Sequence, residues 1–175
     1  LKLNDERNVP VVSLIGWSGS GKTTFLEQVV RILSEDGVRV GIIKHHGHTT
    51  SVDVEGKDTW RYGQAGACPV VISSAAEYAI IRKVEREKTL AELAEIIADE
   101  SDIVLTEGFR RQAQTIIEFR RSEYNNEQIF DLSRLTALVC DDESSLEAAR
   151  AADVPTFQPD DPAGVAAFLK ELAGK

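Results

Sequence analysis

Two hydrophobic rhythms alternate along the chain. Short unbroken apolar runs are separated by stretches in which apolar residues return every third or fourth position. Val9-Pro-Val-Val-Ser-Leu-Ile15 is such a run, ending at glycines, and it predicts a strand buried on both faces of a parallel sheet. Phe25, Leu26, Val29, Val30 and Leu33 then recur at helical spacing, with Gly37 as a left-handed stop. Val38 to Lys44 predicts the second strand, so residues 9 to 44 form a βαβ unit with parallel pairing and a right-handed crossover. His45 to Glu55 is polar and aperiodic, an exposed or ligand-ordered loop, and Lys57 to Ala65 predicts a short helix ending near Gly66. Pro69 to Ser73 and Glu77 to Arg82 read as successive strands around a turn.

Further on, Thr89-Leu-Ala-Glu92 has the form of a capping box opening a helix through Leu93 and Ile97. Ile103 to Thr106 predicts a short buried strand. Thr115 to Arg121 mixes β-branched, aromatic and charged residues, which suggests an edge strand. Leu135 to Cys140 predicts a core strand, Ser144-Ser-Leu-Glu147 a second capping box, and Asp161-Pro162 the start of the last helix. Strands alternating with helices indicate a three-layer α/β architecture, a mainly parallel sheet flanked by helices.

Composition narrows the picture. At 175 residues and 42% apolar content, residues 1 to 175 read as a single domain. No apolar run approaches the roughly 20 residues of a membrane-spanning helix, and Leu1 to Asn8 lacks the features of a secretory leader, so a cytoplasmic location is the expectation. Cys68 and Cys140 each flank an apolar run, which predicts buried free thiols rather than a disulfide. A net charge of −9 disfavours a general nucleic-acid surface, since phosphate backbones require clustered cations.

The first strand runs directly into Gly16-Trp17-Ser18-Gly19-Ser20-Gly21-Lys22-Thr23, followed by Thr24 in the first helix. This is the G-x-x-x-x-G-K-[ST] pattern in the strand-to-helix context its chemistry requires, and it assigns the P-loop NTPase fold. Glycines let backbone N–H groups approach phosphates at the positive end of the helix. Lys22 would reach the β- and γ-phosphates, and the Thr23 hydroxyl would hold Mg²⁺. Glu107, at the end of the strand Ile103 to Thr106, suits a second metal-supporting acid, or else caps the turn before Gly108. Asp102, at that strand's entrance, lies too far away to share an ion with Glu107.

Lys44-His45-His46-Gly47-His48 leaves the second strand on the side where ligands of an open α/β sheet collect. A metal, an anion or solvent suits it, because three imidazoles without a spaced carboxylate or cysteine make a poor zinc signature. Asp53, Lys57, Asp58 and Arg61 suit a nucleotide, Mg²⁺ or a second anion, and equally the charge pattern of a solvated helix start. No Asn-Lys-x-Asp element is present. Asp141 and Asp142, after the strand Leu135 to Cys140, offer carboxylates to guanine N1 and N2 or serve as ordinary loop acids.

These separated motifs together resemble the molybdopterin-guanine dinucleotide biosynthesis protein B family over essentially the whole chain. The resemblance rests on the phosphate loop, Lys44 to His48, Asp53 with Gly56-Lys57-Asp58-Thr59, Arg61, Ala65-Gly66-Ala67, Glu107-Gly108-Phe109-Arg110, and Ile117-Glu118-Phe119 beside Arg120 and Arg121. Arg110 stands where the family commonly has Lys, and Ile116 where a Lys is frequent. The resemblance implies a GTP-binding accessory protein, usually dimeric, that assists the guanylyltransferase attaching GMP to molybdopterin, with a molybdoenzyme or molybdopterin itself as further partners. It supplies the guanine preference, which no visible code provides.

The expectation is therefore Mg²⁺-dependent GTP binding with slow hydrolysis. Nucleotide contacts would come from Gly16 to Thr24, Lys44, His45, His48, Lys57, Asp58, Arg61 and Asp141; Lys22, Glu107 and Asp53 would act in turnover, with Thr23 and Glu107 at the metal. Two rivals use the same loop. A small-molecule kinase would take Asp53 or Asp58 as base, and a metal-delivery GTPase would bind metal through His45, His46 or His48. Dimerisation through Thr115 to Arg121 would exploit an exposed strand edge.

Overall fold

The computed structural model describes residues 9–46, 51–125 and 127–175. In chain order the elements are β1 (Val11–Ile15), α1 (Lys22–Glu35), β2 (Val40–Lys44), α2 (Asp58–Gln64), β3 (Val70–Ser73), β4 (Tyr78–Ile81), α3 (Leu90–Ile97), β5 (Ile103–Glu107), β6 (Thr115–Phe119), β7 (Ala137–Val139), α4 (Glu143–Ala151), β8 (Thr156–Phe157) and α5 (Pro162–Leu172). They group into two compact units, one of Leu1–His45 with Thr89–Lys175 and one of His46–Lys88.

The first unit is built on a six-stranded sheet in the order β2-β5-β1-β6-β7-β8. Every neighbouring pair in it is parallel. Because side chains alternate along a strand, each sheet face gathers its own core. Val12, Leu14, Ile103, Leu105, Ile117, Phe119 and Val139 meet Phe25, Val29 and Leu33 of α1 and Val165 and Leu169 of α5. On the other face, Ile15, Ile116 and Leu138 pack with Leu146 and Ala149 of α4, while Ile43, Val104 and Phe109 pack with Leu90 and Ala94 of α3. This is the three-layer α/β architecture that the alternation predicts.

Two expectations about strand neighbours are corrected. β1 and β2 are parallel but do not pair, because β5 lies between them. The run Ile103-Val-Leu-Thr106 has no solvent-tolerant face, all four residues being buried, and this suits it to an interior position. β6 is likewise no edge strand: it lies between β1 and β7, with Ile116 to Phe119 buried. Glu118 is the charge that suggested an edge, yet it is 0% exposed. Its carboxylate accepts the N–H groups of Ile129 at 2.9 Å and Phe130 at 3.0 Å and faces Arg120 at 3.4 Å.

Helix starts follow local chemistry. The Thr89–Glu92 capping box forms as expected, and Asp161 accepts the Gly164 N–H at 2.8 Å, with Pro162 in the first turn. α4 is capped two residues earlier than Ser144, by Asp142. Asp142 accepts the Ser145 N–H at 2.8 Å, a carboxylate being a stronger acceptor than the serine hydroxyl expected there.

The second unit contains α2 and the antiparallel β3–β4 hairpin, whose turn is closed by the Ser74 N–H on the Glu77 carbonyl at 2.8 Å. Neither cysteine is in a disulfide. Cys140 is buried, but Cys68 is exposed, correcting its expected burial: the hairpin it precedes leaves Val71, Ile72, Tyr78 and Ile80 exposed too. Among the described residues, no helix is long and apolar enough to cross a membrane.

Candidate nucleotide-phosphate site

β1 delivers the chain to Gly16, where a Cβ would collide with the Phe119 carbonyl oxygen and approach Lys22 Cδ to 3.0 Å. Only glycine fits between β6 and the lysine stem. Gly19 and Gly21 have φ of 78° and 89°, the left-handed region that turns the loop back on itself. Gly21 then caps α1 without a side-chain hydrogen bond, so the first-turn N–H groups of α1 receive no side-chain cap. Ser18 is exposed at the loop's crest and Ser20 is buried beneath it.

The Lys22 ammonium lies across this loop, donating to the Trp17 carbonyl at 2.6 Å and to Ser20 Oγ at 3.4 Å. Burial pushes its pKa below the ordinary 10.5; Glu107 opposes the shift and Lys44 adds to it. A lysine whose ammonium is short of solvent gains more from an incoming polyanion than an exposed one, since less hydration is surrendered on contact.

Glu107 is the hub. Parallel pairing sets it beside Leu14 of β1 and Lys44 of β2. The Thr23 hydroxyl donates to its carboxylate at 3.0 and 3.2 Å, and Lys44 Nζ stands 3.3 Å from Oε2. Two neighbouring ligands of an octahedral magnesium ion at about 2.1 Å are themselves about 3.0 Å apart. The Thr23 and Glu107 oxygens have that spacing, and both are the hard donors Mg²⁺ takes, so the residues fit the ion.

The strand end is locked from behind. The His45 N–H donates to the Glu107 carbonyl at 2.9 Å, and the His45 ring packs on Phe109 at 4.4 Å between centroids. Gly108 has φ of 103°, and a Cβ there would stand 2.8 Å from that of His45. The chain then turns through Phe109, a buried non-glycine residue at φ 54°.

On the other side of the loop, Arg121 Nη1 lies 3.7 Å from the place a Gly21 Cβ would take. The sequence offered this second cation only through the segment following Ile117-Glu118-Phe119. Asp141 Oδ1 accepts both the N–H and the hydroxyl of Ser122 at 2.8 Å, which fixes the carboxylate at the end of β7. Asp142 is committed to α4: hydrogen bonds from the Ser145 and Ser144 side chains and from the Ser145 N–H hold its pKa near 2.

Asp102 pairs with Arg39 at 2.8 Å, far below the usual carboxylate range in pKa. In the second unit, Asp53 accepts the Val54 N–H at 2.8 Å and the Thr59 hydroxyl at 2.9 Å, closing the entry to α2. Lys57 occupies the N-cap position of α2, and Asp58 stands 3.9 Å from Arg61 on the exposed helix. Thr24 is exposed in the first turn of α1 and His46 is exposed after β2, whereas His48 lies outside the described residues. Among the described residues, no group of three or more His, Cys, Asp and Glu is placed to hold a metal ion.

Comparison with known proteins identifies relatives in sequence and in fold. A family model described as molybdopterin guanine dinucleotide synthesis protein B matches residues 11–141. A molybdopterin-guanine dinucleotide biosynthesis adapter protein of Haemophilus influenzae is 37% identical over 116 residues, 66% of this chain and 65% of its own length. A probable adapter protein of the same description from Bacillus subtilis is 32% identical over 172 residues, 97% of this chain and 96% of its own. The chain superposes on a crystal structure of molybdopterin-guanine biosynthesis protein B with a TM-score of 0.69 at 29% identity, covering 93% of this chain and 99% of that one. HypB from Helicobacter pylori, solved in complex with nickel, shares the fold at a TM-score of 0.55 and 15% identity.

Proposed function

Since the chain belongs to the molybdopterin guanine dinucleotide synthesis protein B family, we propose that it is a GTP-binding adapter of that biosynthesis, Mg²⁺-dependent and slow to hydrolyse, assisting the guanylyltransferase. The observation that carries the reading is the cluster of Lys22, Thr23 and Glu107 around a glycine-rich turn at the head of α1. The loop amides and Lys22 bind the terminal phosphates, while Thr23 and Glu107 hold Mg²⁺. When bound, the ion would offset the repulsion between the phosphates.

Lys44 and His45 flank the terminal phosphate from β2, and Arg121 adds positive charge on the opposite side of the loop. Asp141, oriented by Ser122, receives the guanine N1 and N2 donors. Asp53 is engaged by Val54 and Thr59, which favours an adapter over a kinase with Asp53 as base. Self-association belongs to the proposal as well, through a surface other than the interior strand β6, and light scattering tests it.

Calorimetric titration with GTP and Mg²⁺ tests the core of the reading. Lys22→Ala abolishes binding in this account, and an unchanged affinity would refute the phosphate assignment. A gel-filtration shift with the guanylyltransferase, dependent on GTP, tests the adapter role.

A further inference from the structure

Positive charge gathers a second time in the first unit, beside the phosphate loop and outside it. Arg110 and Arg111 follow Phe109, and Arg134 ends the 3₁₀ turn Leu132–Arg134. With Phe130 they line an open cavity of about 530 Å³, within the roughly 300–1,000 Å³ of small-molecule sites. The guanidinium carbons of Arg110 and Arg134 lie 5.5 and 5.0 Å from the Phe130 ring centroid, so one ring arranges both forks. That ring is itself held in place, because the Phe130 N–H donates to the buried Glu118 carboxylate at 3.0 Å.

Among the described residues, none of these three guanidiniums has a carboxylate within 4.0 Å. The chain carries 29 acidic residues against 20 Lys and Arg, so like charges converging without an acid are a costly arrangement for a protein with so many acids to spare.

We propose that this cavity is a second anion site, separate from the phosphate loop, for the phosphate monoester of a small molecule. Planar guanidinium forks match phosphate oxygens in pairs, and three cations exceed the two charges of the ligand. The Phe130 ring is 9% exposed and spent on stacking, so the recognition is polar. A concave cavity of this size suits a phosphorylated small molecule better than a bare ion or a flat acidic surface. Arg110 also places its guanidinium carbon 5.9 Å from the ring of Trp17, the second residue of the phosphate loop, so the two sites share a side chain contact. The proposal stands whichever nucleotide the loop binds.

Phenyl phosphate is the probe, titrated by calorimetry into the full chain carrying Lys22→Ala, which removes the phosphate loop from the readout. Saturable one-to-one binding is expected, weakened at least about tenfold by Arg111→Gln and by Arg134→Gln, with phenol showing no saturation. Arg111 is exposed, so if Arg134→Gln lowers the melting temperature of the free chain markedly, Arg111→Gln carries the test. The proposal is overturned if phenyl phosphate fails to saturate the Lys22→Ala chain, or if both arginine substitutions leave binding unchanged. Tighter, equally arginine-dependent binding of a polyglutamate peptide also overturns it and reassigns the surface to an acidic protein partner.

Discussion

Glu107 shows how much one side chain can carry. It accepts the Thr23 hydroxyl, faces Lys44, and opposes the downward shift of the Lys22 pKa. Glu107→Gln keeps its size but removes the charge that a divalent ion needs. We expect Mg²⁺ to strengthen nucleotide binding to the native chain and that gain to shrink by about tenfold or more in the variant, since losing even a group that only supports a metal ligand costs about 10–100-fold in affinity. Titrations with and without Mg²⁺ read this directly, and an equal gain in both chains would remove Glu107 from the metal. Asp142 makes a different prediction. Its pKa falls from 3.8 to about 2 on folding, so its cap on α4 contributes full stability above 3.8 and loses it as pH falls toward 2. Asp142→Asn can still cap but cannot titrate. The native chain's melting-temperature advantage over the variant should therefore narrow across that interval, and a constant difference would show that the cap does not titrate.

At the scale of elements, legibility followed locality. β1, α1 and the turn between them are specified by neighbouring residues, and the glycines and Lys22 stand where the motif placed them. Which strands lie side by side is a non-local choice, and there β5 displaced β2 from β1. β6 misled for a physical reason, since a glutamate in a strand ordinarily marks a wet face. Here Glu118 accepts the N–H groups of Ile129 and Phe130, 11 and 12 residues further along the chain, and pairs with the buried guanidinium of Arg120. Its removal by Glu118→Ala strands Arg120, 3% exposed, and unpairs the N–H groups of Ile129 and Phe130. Breaking such a buried pair costs about 3–5 kcal/mol. Urea unfolding should show that loss as a lower midpoint at unchanged slope, whereas a loss under about 1 kcal/mol would mean that water replaces the carboxylate.

For the whole molecule, the phosphate loop and the alternation of strands and helices declare the fold class, but the division into two units does not appear in the sequence. Units are defined by contact density, and the polar stretch from His45 to Glu55 reads equally as a loop within one unit or a passage into another. The proposed guanine contact is hidden for a related reason: Asp141 gains its orientation from Ser122, a residue on a different strand's exit. The proposed base preference and the phosphate contacts are both accessible through one global measurement. A ligand that binds only the folded chain at 100 times its Kd adds about 2.7 kcal/mol of stability. For a chain of this length each kcal/mol raises the melting temperature by about 2–4 °C, so Mg²⁺ with GTP should raise it by about 5–11 °C. ATP at the same concentration should raise it less, because a carboxylate at Asp141 has two donors to accept on guanine and no such pair on adenine. Lys22→Ala should erase both shifts. Equal shifts for GTP and ATP would remove Asp141 from base recognition while leaving the phosphate site intact. A shift that survives Lys22→Ala would move nucleotide binding to another part of the molecule altogether.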